Sequence, residues 1–299
     1  MYIYLSHYIK YMDPMPTCSN IESLPEDCVS AILSYASPQE ACIFSLVTTT
    51  LHLVADSDLV WKSFLPSDYE DILSRVVNPL TLKFSSYKNL FYALCNPLLL
   101  DGGKRIFKLE KCSGKKCYIL SARELSIAWS SDPMFWSWRS TPKSRFPEVA
   151  ELRNVCWLEI EGKIRTQILT PNTLYGAYLI MNVSHRAYGL DFAPSEISIV
   201  IGNKVEKRKT YLYHKEENKL KIETSFNRNR RETLRMVQEE DNEEIPYPLK
   251  REDGWMEIEL GEFFSGEGNE EVKMTLREVG YRLKGGLVLE GIEIRPKHV

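Results

Sequence analysis

Apolar residues in this chain change their spacing partway along, and that change restricts the folds open to it. Before about residue 100 they recur three and four apart; from about Cys117 they alternate one by one. The first spacing gathers side chains on one face of a helix, and the second sends successive side chains to opposite faces of a sheet. Val272, Met274 and Leu276 alternate with Lys273, Thr275 and Arg277, and Met256, Ile258 and Leu260 with Trp255, Glu257 and Glu259. Cys156, Leu158 and Ile160 are expected on one side of a strand, Trp157 and Glu159 on the other, before a turn at Glu161-Gly162-Lys163 into Ile164–Leu169. Tyr175–Val183, Ile197–Ile201 and, after Gly285-Gly286, Leu287–Arg295 read as further strands. Many short strands with turn residues between them predict an antiparallel β-sandwich over residues 111–299.

Helix signals are dense from Leu24 to Leu65. Leu24-Pro25-Glu26-Asp27 places a proline at the first helical position and two acids where they complement the helix dipole. Cys28, Ile32, Leu33 and Ala36 then share a face. Ser37-Pro38-Gln39-Glu40 reads as a capping box, in which the serine oxygen takes a free backbone N–H and the glutamate reaches back. Thr48-Thr49-Thr50 is a polar break before a short helix at Leu51–Ala55, and Ser57-Asp58 opens another that carries Trp61, Phe64 and Leu65. Ser67-Asp68-Tyr69-Glu70 and Ser85-Ser86 begin two more helices, stopped at Asn78-Pro79 and Asn96-Pro97. Asp101-Gly102-Gly103-Lys104 is read as the domain border. The fold class expected is α+β in two domains: a small helical bundle over 20–66, a helical connector over 67–110, and the sandwich. Residues 1–19 are read as a disordered extension, with Met12 or Met15 as an alternative start.

A bundle this small buries little surface alone and needs a partner or companion domain. Its apolar residues therefore have two readings, an exposed docking face or bundle core. A net charge of -3 gives no general attraction to nucleic acid or anionic membranes. The seven cysteines are odd in number and lie inside apolar patterns, which points to buried thiols in a reducing compartment. No second Cys/His pair follows Cys112 and Cys117 at zinc-site spacing, and no cofactor is expected. The opening residues lack a basic n-region and a cleavage site, and no run reaches the ~18 apolar residues of a membrane span. Residues 203–246 read as a charged insertion, with Lys207-Arg208-Lys209 and Arg228–Arg231 basic and Glu239–Glu244 acidic.

Four of the six tryptophans fall between Ala122 and Ile160. Asp132-Pro133 is expected to start a single helical turn, with Trp129 before it, Trp136 within it and Trp138 just beyond. Indoles grouped on an irregular segment at the end of a sandwich can stack on the C–H face of a sugar ring, or they can plug the core. A glycosidase would need two well-placed carboxylates, for which Glu159, Glu161, Glu257 and Glu259 are available; their plain reading is a solvated sheet face.

Two resemblances narrow these choices. LPEDCVSAILSYASPQEACIFSLV, followed by VADSDLVWKSFLP, resembles an F-box. The resemblance implies docking on the SKP adaptor of a cullin–RING ubiquitin ligase. The family's contact positions correspond to Leu24, Pro25, Ile32, Leu33, Leu46, Val47 and Trp61. ARELSIAW, PMFWSW, EVAELRNVCWLEIEGKI, DGWMEIELGEFF and GLVLEGIEIRP together resemble the phloem protein 2 lectins, the Nictaba-type family of plants, and imply a jelly-roll-like lectin sandwich. That similarity implies binding of N-acetylglucosamine oligomers or the core of N-glycans, with Trp129 and Trp136 at the sugar and Glu271 as a further contact. The function expected is a non-catalytic substrate-recognition adaptor of the ligase, working in the cytoplasm and nucleus. The alternative kept beside it is a sandwich that binds a protein partner without sugar.

Overall fold

A computed structural model of the chain describes residues 21, 24–78, 84–213 and 245–297. The extension expected over 1–19 and the Arg228–Arg231 and Glu239–Glu244 runs lie outside the described residues. The chain divides into two compact units, one of Met1–Tyr69, Leu80–Asn96 and Leu109–Gly114, the other of Glu70–Pro79, Pro97–Lys108 and Lys115–Val299. The stretch expected to be one helical connector is thus shared between the two. Its glycine pair is a hairpin turn inside the second unit, where Asp101, Gly102 and Gly103 all take positive φ (53, 65 and 92°).

The helical unit contains α1 (Glu26–Leu33), α2 (Pro38–Phe44), α3 (Thr49–Ala55) and α4 (Asp58–Ser63); after α5 (Tyr69–Ser74), α6 (Tyr87–Leu94) returns to it. Pro25 caps α1 from outside, so the first helical residue is Glu26. The Ser37–Glu40 capping box forms in both directions, at 3.2 Å from Glu40 N to Ser37 Oγ and 2.7 Å from Ser37 N to Glu40 Oε2. The threonine run does more than interrupt: Thr48 Oγ1 accepts from Leu51 N and so caps α3. Val29 and Leu33, one turn apart on α1, are buried with Val54 and Ala55 of α3 and Val60 and Trp61 of α4. Trp61 is the centre of this core. Its ring lies 5.3 Å from Phe91 and 5.5 Å from Phe64, and its indole N–H donates to Ala55 O at 2.8 Å. An aromatic this large is tolerated in a core because its one polar atom is satisfied.

The second unit is the expected sandwich. Its strands are β1 (Leu98–Leu100), β2 (Arg105–Leu109), β3 (Lys116–Ser121), β4 (Ser126–Ile127), β5 (Trp136–Arg139), β6 (Val149–Leu152) and β7 (Val155–Arg165), followed by β8 (Leu174–Tyr188), β9 (Ser195–Ile201), β10 (Lys204–Thr210), β11 (Leu249–Lys250), β12 (Met256–Phe264) and β13 (Glu271–Pro296). One sheet runs β1-β2-β3-β13-β8-β12-β11, with β6 also on β13 and β5 on β6; β4, β7, β9 and β10 group around the first half of β13. All the pairings given by register are antiparallel. The expected break at Gly285-Gly286 is therefore a bend within one long strand, where β13 leaves β7 and β9 and joins β8 and β3.

Two glycines expected at turns lie inside strands, each where another part of the chain comes too close for a Cβ. Gly162 does not turn the chain: β7 runs straight through it. A Cβ there would stand 2.7 Å from Ile292 Cδ1, so the residue makes room for a side chain of the facing sheet. Gly286, at φ +86°, would place its Cβ 2.6 Å from Ala187 Cα, which fixes where β13 bends. Between the sheets lie Leu158, Ile160, Ile197, Ile199, Met274 and Leu276 from one side and Leu179, Met181, Leu260, Leu289 and Ile292 from the other, all buried. Cys156 departs from its expected side and is exposed, because Val155 takes the buried position at the start of β7. The first part of the stretch expected as a charged insertion, Lys204–Thr210, is instead a strand on β9. Its four basic residues disfavour pairing with a like strand of another chain.

The outer face of the larger sheet is covered by residues 140–148. Trp255 packs with Val149, Tyr178, Ile180 and Val288 there and donates its indole N–H to Lys143 O at 3.0 Å. Arg145 reaches Glu290, which is wholly buried, and Glu293 at 3.4 Å. Burial would raise the Glu293 carboxyl, but Lys108, Arg251, Arg145 and Arg295 around it outweigh this and hold it below the usual carboxylate range.

Candidate binding surfaces

The helical unit separates its expected adaptor-contact residues into two sets. Leu24 and Pro25 are exposed at the start of α1, Ile32 is 46% exposed on its outer side, and Leu46 (84%) and Val47 follow α2 in the open. Leu33 and Trp61, expected with them, are each 1% exposed and belong to the core. The i and i+4 stripe of Val29 and Leu33 faces inward, which turns Ile32 outward; Trp61 is held by its own hydrogen bond and rings. Tyr35, Ile43, Leu53 and Leu59 are also exposed. Sequence reasoning passed over them because an apolar residue in a short helix reads as core until the buried stripe is known.

In the sandwich, the tryptophan segment has a construction that spacing did not reveal. β4 ends at Ile127, and Ala128 N donates to Glu159 O of β7 at 3.0 Å. The next residue, Trp129, takes φ +65°, a conformation L residues other than glycine seldom adopt, and is 57% exposed. Turn hydrogen bonds from Ser130, Asp132 and Phe135 to the carbonyls of Ile127, Trp129 and Asp132 then coil the chain back. The expected turn forms and takes in Trp136, whose backbone N–H donates to Asp132 O at 3.1 Å; Trp136 and Trp138 then begin and continue β5. Trp136 Nε1 donates to Ala128 O at 3.0 Å, and Trp138 Nε1 to Ser130 O at 3.2 Å. Two indoles thus grip the carbonyls on either side of Trp129 and hold it in its left-handed conformation.

This corrects the role expected of Trp136. At 1% exposure, with its N–H engaged, it offers no face to a ring. Trp129 does, and Phe135 backs it with ring centroids 5.8 Å apart. Trp138 is covered on one face by the Arg123 guanidinium at 3.6 Å, itself paired with Glu148.

Glu271 does not join Trp129. It faces Arg165 on β7, six residues along from the Glu159 carbonyl that Ala128 meets, so about 20 Å separates them. It lines a separate polar cleft of about 440 Å³ with Arg105, Glu124, Ser126, Glu161 and Lys163. Lys163 Nζ lies 3.7 Å from Glu271 and 3.4 Å from Glu161. The carboxylates weighed for hydrolysis are each engaged as well: Glu159 by the Trp157 indole, Glu161 by Lys273, Glu257 by Arg295 and Arg251, Glu259 by Lys297. Among the described residues no group of three or more His, Cys, Asp and Glu could hold a metal ion, and no helix is long and apolar enough to cross a membrane.

Comparison with known proteins agrees with this division. Residues 21–63 match the family model described as F-box domain, and residues 115–296 match that described as Phloem protein 2. The chain is 48% identical over 280 residues to F-box protein PP2-B15 of Arabidopsis thaliana, spanning 92% of this chain and 96% of that one. Over 279 residues it is 47% identical to F-box protein VBF of Arabidopsis thaliana, spanning 92% of this chain and 99% of the relative. F-box protein PP2-B13 of the same plant is 46% identical over 278 residues, 91% of this chain and 98% of its own length.

Proposed function

The chain belongs to the F-box proteins that carry a phloem protein 2 domain, and from that premise we propose that it is the substrate-recognition adaptor of an SKP–cullin–F-box ubiquitin ligase which captures glycoproteins through N-acetylglucosamine. Leu24, Pro25, Ile32, Leu46 and Val47 supply the surface for the SKP adaptor. They are exposed apolar residues on a unit of short helices, and covering them with a partner removes that surface from water. Leu33 and Trp61 support it from within.

At the other end Trp129 is the sugar platform. The observation that carries this reading is an exposed indole held at positive φ by two other indoles, because backbone strain kept in place by specific hydrogen bonds is commonly found at binding sites. A pyranose stacked on one indole contributes on the order of 1 kcal/mol. Capture of a target then depends on several sugar contacts or on protein contacts beside them. The ligase's chemistry belongs to its other subunits; this chain contributes proximity and orientation. In this reading it works in the cytoplasm and nucleus.

Two binding assays on the full chain test the two ends separately. Ile32→Ala with Leu46→Ala is expected to weaken SKP-adaptor binding at least tenfold without changing retention on immobilised chitotriose. Trp129→Ala is expected to do the reverse. Retention of the Trp129→Ala chain equal to the wild type would remove the sugar reading and leave the sandwich as a protein-binding module.

A further inference from the structure

A second recognition feature lies beside the tryptophan segment, where β13 leaves one sheet for the other. Residues 277–282 face the loop Phe192–Pro194 across an open groove of about 640 Å³. Phe192, Val279 and Tyr281 are exposed along it. Arg282 lays its guanidinium 3.2 Å over the Phe192 ring, and Arg277 lies 5.1 Å over Trp157. Among the described residues neither arginine has a carboxylate at ion-pair distance. The groove's own acids are already engaged: Glu196 meets Lys207 at 3.2 Å, and Glu278 meets Lys284 at 2.8 Å. Glu159 and Glu196 are the cross-strand neighbours of Arg277 on either side, and Glu159 accepts the Trp157 N–H.

Among the described residues the two cations thus lie over aromatic rings with no carboxylate at ion-pair distance. A guanidinium stacked on a ring keeps its N–H edge free for a carboxylate, which it takes in two parallel hydrogen bonds. The wall is also pre-formed. Lys284 is wholly buried and donates to Cys156 O at 2.6 Å, tying the bend of β13 to the start of β7.

We propose that this groove docks an extended acidic peptide segment of a partner protein, with one carboxylate on Arg277, another on Arg282 and an apolar side chain between them against Val279 and Tyr281. A single-stranded nucleic acid could also use arginines and rings. The peptide is favoured because the described lining of the groove holds two discrete cations, which two spaced carboxylates match, whereas a continuous phosphate backbone takes a run of them. The site is independent of the sugar reading, since Trp129 takes no part in it.

The test is fluorescence anisotropy of the full chain with a short labelled peptide carrying two glutamates around one leucine. Saturable binding is expected, weakened about tenfold or more when glutamines replace the glutamates and when Arg277→Ala and Arg282→Ala are combined. Lys204→Ala with Lys209→Ala removes the same charge from exposed strand β10 and is expected to leave binding unchanged, as is Trp129→Ala. Should the double arginine variant lose its circular dichroism, the wild type decides alone, because a peptide with two lysines must then fail to bind. Equal affinity for the glutamine peptide, undiminished binding by a folded double arginine variant, an equal loss in the Lys204/Lys209 variant, or tighter binding of an oligouridine would each overturn the proposal.

Discussion

Glycine normally costs stability relative to alanine, and at position 129 the order should reverse. Trp129 sits at φ +65°. A residue with a Cβ pays about 1–2 kcal/mol for that conformation, because Cβ crowds the following carbonyl. Glycine pays nothing for it but loses more chain entropy on folding, about 0.4–1 kcal/mol relative to alanine. The difference leaves Trp129→Gly about 0.5–1 kcal/mol more stable than Trp129→Ala. Both substitutions remove the same indole, so lost ring contacts cancel in the comparison. Urea titration of the full chain, followed by the fluorescence of the five tryptophans that both variants keep, measures the gap. An alanine variant as stable as the glycine variant, or more so, would show that the backbone there is not strained and that the two indole clamps restrain nothing.

The clamps themselves are tested by Trp136→Phe, which leaves Ala128 O without its indole donor; a loss of about 1–3 kcal/mol is expected in the same titration. In the helical unit, Leu33→Ala should cost about 2–5 kcal/mol while its neighbour Ile32→Ala changes stability by under about 0.5, read by thermal melting. Glu293 and Glu257 have carboxyls held below the usual range by surrounding cations, against the opposing effect of burial. Their contribution is therefore fully present above the unfolded carboxylate value of about 4.3 and is lost as pH falls through the depressed folded values. The urea midpoint of the sandwich should stay level from pH 7 to about 5 and fall below about 4, less steeply in Glu293→Gln.

The fold was legible wherever one period ran without interruption. Val272, Met274 and Leu276 kept their alternation through the first half of β13, and the Ser37–Glu40 box formed as its residue types demand. Reading failed where a residue's reason lay across the molecule. Gly162 looks like a turn until Ile292 is seen in the space it leaves, and the Gly285-Gly286 pair looks like an end although the chain merely changes sheets. The site was half legible for the same cause. Clustered tryptophans mark the segment, yet nothing in their spacing tells the exposed Trp129 from Trp136 and Trp138, whose N–H groups hold its neighbours. Glu271 shows the limit of chain order: it lies at the far end of β7 from the indole it was expected to assist.

Co-retention on a sugar matrix tests most directly whether the two recognition ends work as one adaptor. The SKP adaptor alone, passed over immobilised chitotriose, is expected to flow through, and to be retained when the full chain is present. Retention should disappear with Trp129→Ala and equally with Ile32→Ala combined with Leu46→Ala. An SKP adaptor that flows through while the wild-type chain stays bound to the sugar would contradict the coupling of the two ends.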